Sequence, residues 1–355
     1  MPRSLNMVMA TMVIAWSSPA FAQTPVVWNT AIIERDLAWF GSAEARSIAD
    51  TVILHQSPEG GWPKNTSLIV SPDDAPVDPA SKNTFDNEAT TLPLAFLARV
   101  IAANNRPADR AAFDRGLDYT LMAELPNGGW PQFYPLRSGY YSHITFNDDA
   151  MVRILTLLRD VSAGVEPYGF VDDARRARAG EAVARGVKVI LATQVRRDGV
   201  LTVWCAQHDA VSLQPAWARA YEPPSLSGNE SVGITRFLMS IPEPSDDVIA
   251  AVEGAVRWFE TVQVAGQRLQ RFTGPDGRPD VRVIADAEAQ PLWARFYDLQ
   301  SDRPIFLGRD SLVQPEFSMI ERERRTGYNY YGTWPQSLLS RDYPAWRQRV
   351  RSNPS

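Results

Sequence analysis

Gly60-Gly61-Trp62-Pro63-Lys64, followed by Thr84-Phe85-Asp86-Asn87-Glu88-Ala89, decides the reading of this chain, because the same order returns further on. Gly128-Gly129-Trp130-Pro131-Gln132 is followed by Thr145-Phe146-Asn147-Asp148-Asp149-Ala150. A third, weaker copy has Asp198-Gly199 and Trp204, then Ser225-Leu226-Ser227-Gly228-Asn229-Glu230. Gly327 to Pro335, ending in Trp334-Pro335, echoes the turn once more. Each copy pairs a Trp turn with an acidic or amide cluster that opens a helix. The repeat length is about 70 residues, and an internal repeat of that size sets the architecture.

Between the copies the apolar residues fall at helical spacing. Ala31–Gln56 places Leu37, Phe40, Ile48, Val52 and Ile53 on one side,. A second helix runs to about Asn104, with Asp86 or Asn87 as its cap. Pro107 starts a third, Asp148–Val161 is a fourth and Val171–Gln194 a fifth. A sixth begins near Gly228, a seventh spans Ser245–Val262, and a last carries Leu338 to Val350. Arg268–Ile284 reads as a hairpin around Pro275-Asp276-Gly277. A helical hairpin cannot bury its apolar face alone, and stacked hairpins can. The expectation is a mainly helical, all-α protein. Its hairpins form an α/α toroid with short β-hairpins in the loops and the acidic clusters on one rim.

The chain has 355 residues and a formal net charge of −5, which argues against a nucleic-acid partner, since that needs an electropositive face,. Arg3, the apolar run Met7 to Trp16 and Ala20-Phe21-Ala22 read as an export signal cut after Ala22,. The run is too short to span a bilayer. A single catalytic domain over residues 23–355, secreted or periplasmic, without a membrane partner and monomeric, is the expectation. Cys205 is the single cysteine, so no internal disulfide supports the fold,. Its neighbour His208 is too close in a loop to define a nucleophile–base pair.

Gln56-x-x-x-Gly60-x-Trp62 places a glutamine at a helix end, where it can satisfy orphan carbonyls. Several α-toroids share this device, triterpene cyclases among them, so it speaks for fold rather than reaction. Trp62 and Trp130 are as well explained by structure as by stacking on a sugar. Either acidic cluster alone reads as an N-cap. Two in matching repeats point to a shared site, and Asp and Asn oxygens are hard ligands suited to calcium. There is no EF-hand loop. Arg219 stands directly before the third cluster, and a cation beside acidic ligands suggests a substrate carrying carboxylates.

The segments Gly60 to Asn65, Phe85 to Thr90, Gly129 to Phe133, Asn147 to Met151, Trp204 to Asp209, Ser225 to Ser231 and Tyr328 to Gly332 resemble, in order, those of the family 10 pectate lyases. The resemblance implies calcium-assisted β-elimination of polygalacturonate. It implies Arg219 as base, or else as a carboxylate clamp, with Asp86 beside it in catalysis. Asn87 and Asp148 would hold Ca2+, with Asp86 next. Lys64 and Arg309 would bind substrate carboxylates, and Trp130 and Tyr328 would also face the substrate. Two other readings stay open. One is a glycoside hydrolase on a similar toroid, using Asp148 with Glu222 or Glu230. The other is a non-catalytic binder of acidic polysaccharide. A terpene cyclase is disfavoured by export and by the missing Asp-x-Asp-Asp motif.

Overall fold

The computed structural model describes residues 25–352, so the expected export segment lies outside the described residues. The regular structure is mainly helical: α1 (Ala43–Leu54), α2 (Thr91–Asn104), α3 (Pro107–Met122), α4 (Ala150–Ala163), α5 (Asp173–Thr193), α6 (Glu230–Met239), α7 (Asp246–Thr261), α8 (Arg322–Gly327) and α9 (Tyr343–Ser352). The strands are short. The longest pair, Gln267–Thr273 with Pro279–Ala285, is the expected hairpin. Among the described residues no helix is long and apolar enough to cross a membrane.

Local chemistry sets the boundaries. Pro107 occupies the first turn of α3, where its missing N–H leaves no bond unmade,. Asp172 caps α5 by accepting from Arg175 N at 2.9 Å,. The first helix starts later than its periodicity suggests. Ser42 caps it by accepting from Ala45 N at 3.1 Å. The residues before it form two 3-10 turns, Thr30–Glu34 and Leu37–Gly41, which bury Phe40 and expose Leu37. Neither Asp86 nor Asn87 caps α2. Asp86–Glu88 form a separate 3-10 turn with Asn87 in the left-handed region, and α2 begins at Thr91 without a side-chain cap.

The helices pack in two rows. Along the chain α1, α3, α5 and α7 are successive neighbours, and so are α2, α4, α6 and the π-turn Leu338–Asp342. One apolar core runs through both rows, from Ile32 to Trp346. A smaller aromatic cluster containing Tyr221, Phe296, Phe306, Phe317 and Tyr330 lies beneath the later loops.

Four buried tryptophans fasten the turns to these rows. The indole N–H groups of Trp62, Trp130, Trp204 and Trp293 donate to the carbonyls of Val52, Thr120, Ile190 and Phe259 at 2.8, 2.9, 2.7 and 2.9 Å. Those carbonyls belong to α1, α3, α5 and α7, one row throughout. The residue before each tryptophan accepts in turn from Ser57, Leu125, Val195 and Val264. The fourth copy of the turn therefore lies at Trp293 rather than at Trp334, which packs over Gly332 instead. Gln56 Nε2 donates to Gly60 O and across to Ala112 O in α3, and Gln194 Nε2 donates to Thr202 O and to Ala251 O in α7. Glycine is required at Gly60, whose φ is +111° and where a Cβ would stand 2.5 Å from Arg115 O,.

The turns are also laced from repeat to repeat. Thr84 bridges Phe133, Thr145 pairs with Gln207, and Ser227 pairs with Phe296. Each acidic turn is thus held by the tryptophan turn of the following repeat.

Trp130 tests this account. Trp130→Phe keeps most of the ring and removes the donor to Thr120 O. It should lower the unfolding free energy by about 1–3 kcal/mol in denaturant titrations and leave the kcat and KM of the expected activity of the folded protein unchanged. A selective rise in KM would instead assign Trp130 to a sugar.

Candidate active site

The first two acidic turns have the same backbone. Asn87 has φ 50° and ψ 46°, and Asp148 has φ 50° and ψ 35°; the following residues, Glu88 and Asp149, are left-handed as well, with φ 57° and 58°. Such conformations cost about 1–3 kcal/mol each for residues other than glycine, and they persist where the surroundings impose them. The lacing and the helices that follow impose them here. The two turns touch each other, which puts Asn87 and Asp148, from separate repeats, on adjoining segments.

A chain of charged groups runs away from these turns. Lys64 Nζ lies 2.5 Å from the buried Asp86 carboxylate and 5.3 Å from the centre of the Phe133 ring. Asp148 Oδ2 accepts from Asn147 Nδ2 at 2.7 Å, while Asp148 Oδ1 is 3.3 Å from Arg295 Nη2. Arg295 is buried and donates also to Asn147 Oδ1 and to Glu230 Oε1. Its guanidinium stacks on Tyr328 at 4.7 Å, and the Tyr328 hydroxyl donates to Glu222 Oε1 at 2.8 Å. Glu222, also buried, accepts from Arg219 Nε at 2.8 Å and Nη2 at 2.5 Å. Lys64 and Asp86 thus form one group of side chains at the first turn, and Asp148, Arg295, Tyr328, Glu222 and Arg219 form a second that starts at the adjoining turn.

Charge pairing sets the protonation. Burial works to lower the Arg219 pKa, and the hydrogen bonds and charge of Glu222 more than reverse it, so this guanidinium is held firmly as a cation,. Arg295 behaves alike, with Glu230 overcoming the effect of burial. Burial pushes the Asp149 carboxyl up to about 6, and the nearby Glu230 and Asp148 add to the shift.

Two expected residues sit differently. Trp130 is fully buried with its N–H satisfied by Thr120 O, so it presents no face to a sugar; this corrects its assignment to the substrate. Arg309 lies at the outer end of the path, exposed, 3.0 Å from Glu323 and 5.9 Å from the centre of the Tyr221 ring. It approaches Arg219 only through that ring, which Arg219 also overlies at 5.1 Å. Arg295 and the Arg219–Glu222 pairing were not foreseen. Arg295 stands two residues after Trp293, where Lys64 stands after Trp62, so the repeat position would have revealed it. Cys205 and His208 are structural. His208 Nε2 accepts from Cys205 N at 3.1 Å, which makes Nδ1 the donor to Leu213 O at 2.9 Å,.

Among the described residues no group of three or more His, Cys, Asp and Glu side chains stands ready for a metal ion. Asn87 and Asp148 still suit a hard cation. Asn87 spends its amide N–H on Asn65 Oδ1 at 2.8 Å and keeps its own oxygen for a ligand, and Asp148 adds a partly exposed carboxylate,. Two protein donors are few, so further oxygens would come from water and from a bound anion.

Comparison with known proteins gives the family. The pectic acid lyase family model matches residues 56–339. A solved structure of the family 10 polysaccharide lyase from Cellvibrio cellulosa is 33% identical, with a TM-score of 0.75, covering 87% of this chain and 96% of that one. An aspartate-to-alanine mutant of a family 10 polysaccharide lyase from the same organism, in complex with trigalacturonic acid, is 33% identical with a TM-score of 0.75 and covers 86% and 96%. No curated protein matches. The chain belongs to the pectic acid lyase family, among the family 10 polysaccharide lyases, and is a pectate lyase.

Burial lowers the His208 pKa to about 4 from the ordinary 6.5. The unfolded chain then binds the extra proton between these values, so this contribution is complete above pH 6.5 and is lost as pH falls toward 4, by about 3 kcal/mol at most. Asp149, with its pKa raised, acts in the opposite sense between about 6 and 3.8. The comparison to make is therefore wild type against His208→Gln in denaturant titrations. The variant should lose less stability on acidification from pH 6.5 to 4 than the wild type does, with Asp149 common to both.

Proposed function

We propose that this pectate lyase cleaves de-esterified polygalacturonate by calcium-assisted β-elimination and releases 4,5-unsaturated oligogalacturonates. The observation that carries the proposal is the pair of touching, matched oxygen-bearing turns, with Lys64 paired to Asp86 in the first and Arg295 beside Asp148 of the second, leading through Tyr328 and Glu222 to Arg219. The trigalacturonic acid bound to the related Cellvibrio cellulosa enzyme supports an oligogalacturonate as the ligand. The same reading takes the two helix rows as the layers of an α/α toroid with the turns on its rim.

β-Elimination breaks the C5–H bond and the bond from C4 to the glycosidic oxygen, and forms a double bond between C4 and C5. The electron pair leaves on the glycosidic oxygen, which takes up a proton from water, while the proton from C5 passes to the base and then to solvent. The difficult step is the first, because the C5 proton lies next to a carboxylate that is already negative. When bound by Asn87 and Asp148, calcium supplies Lewis-acid stabilisation of that carboxylate. Lys64, oriented by Asp86, adds a point charge, and Arg309 adds a further cation toward the outer end,. Arg219 is the group we place at the C5 proton. At rest this guanidinium is a cation and clamps a substrate carboxylate; to act as base it must first give up a proton, for which Glu222, joined to it by two hydrogen bonds, is the acceptor at hand. Charge then stays balanced within the pair, and Tyr328 holds Glu222 in place.

The paired-carboxylate hydrolase finds less support. Glu222 is bound by Arg219 and Tyr328, and Glu230 by Arg295 and Ser227, so neither is a free acid beside Asp148,.

Polygalacturonate incubated with the purified protein should gain the ultraviolet absorbance of an unsaturated uronate, in the presence of calcium and not with a chelator. Arg219→Ala should lower kcat by about 10²–10⁴-fold, the range of general acid–base catalysis. New reducing ends without that absorbance would contradict the elimination.

A further inference from the structure

We infer that Arg153 is a positioning residue that fixes the distance between the two acidic turns and thereby sets calcium affinity, an inference that rests on reading Asn87 and Asp148 as the calcium-holding residues. Arg153 lies in the first turn of α4. One arm of its guanidinium reaches back to the first repeat, where Nη2 lies 2.6 Å from Glu88 Oε1. The other arm, Nη1, donates to the main-chain oxygen of Asp148 in the second repeat. Glu88 directly follows Asn87, so a single planar fork joins the side chain next to one oxygen donor to the main chain of the other.

The geometry gives this tie a purpose beyond stability. Both turns hold left-handed residues that relax if their surroundings loosen,. A cation shared between them needs both oxygens at their proper separation, and outer groups that orient metal ligands govern affinity. The Arg153 and Glu88 side chains are 31% and 27% exposed. A partly solvated ion pair of that kind adds little to global stability. Charge alone does not describe it either, because the two acceptors lie on separate turns and the fork serves both at once. A lysine supplies a point charge and cannot make that bridge.

The test titrates calcium by calorimetry into the Arg219→Ala enzyme preloaded with trigalacturonate, alone and combined with Arg153→Ala or Arg153→Lys. Half-saturating calcium is measured in parallel during turnover by the same Arg153 variants with Arg219 intact. Both Arg153 substitutions should weaken calcium binding by about 10-fold or more, toward the 10–100-fold range found when groups supporting metal ligands are removed. The value of kcat at saturating calcium should stay within about threefold of wild type, and the melting temperature should hardly change. Unchanged calcium affinity in Arg153→Ala would overturn the inference, as would full rescue by Arg153→Lys. A lowered melting temperature with kcat lost at saturating calcium would show a merely structural role and also overturn it. If the parent itself binds no calcium while wild type still makes unsaturated product, the calcium reading fails and takes this inference with it. Normal binding by the parent and by both variants overturns the inference alone.

Discussion

Everything at the catalytic end depends on one hydrogen bond made four times: a buried indole N–H donating to a carbonyl of the preceding helix. A tryptophan removed from water at such a site must find a partner for its N–H, and a carbonyl near the end of a helix must find a donor. Each satisfies the other, and the large ring then sets how the chain leaves the helix. The exit is the same at every repeat, so the segments that follow arrive in equivalent places and can pair with one another across repeats. The oxygen donors and cations of the site stand on those segments. The placement of the acidic turns is in this sense a by-product of how four helices terminate.

The charges around the two turns are paired among themselves. Asp86 is paired with Lys64, Glu230 and Asp148 with Arg295, Glu222 with Arg219, and Glu88 with Arg153. Buried carboxylates are tolerated because each has its cation and its hydrogen bonds. On the proposed reading, the carboxylates of a bound galacturonan would join the oxygens of Asn87 and Asp148 around a cation there. Ion and polymer are then expected to support each other's binding, since linkage is reciprocal.

How much of this was legible in the sequence follows from what is local. The Gly-Gly-Trp-Pro turns are short and unusual in composition, so the repeats, the helices between them and the grouping of Asp86, Asn87 and Asp148 could be read directly. The fourth turn could not. The hairpin at Gln267–Thr273 and Pro279–Ala285 separates Val264 from Trp293, and the glycines and proline of the earlier copies are missing. Trp334-Pro335 drew attention in its place, and Arg295 was missed with the turn that carries it. Either acidic run alone reads as a helix cap as readily as a left-handed turn, because Asp and Asn favour both. Only the backbone shows which of the two they adopt. Trp130 carried the same ambiguity between core and sugar face, and burial resolves it. Pairings such as Arg295 with Asp148, or Arg153 with Glu88, join residues from different repeats and leave no mark on local composition.

The central claim is that two strained, matching turns jointly hold one calcium ion against the substrate. It is tested most directly by anomalous diffraction from crystals of the Arg219→Ala enzyme grown with calcium and trigalacturonate. The account predicts a single strong peak about 2.3–2.6 Å from side-chain oxygens of both Asn87 and Asp148, with a galacturonate carboxylate completing its shell. A calcium peak elsewhere, or a bound trisaccharide with no calcium between these two turns, would contradict it.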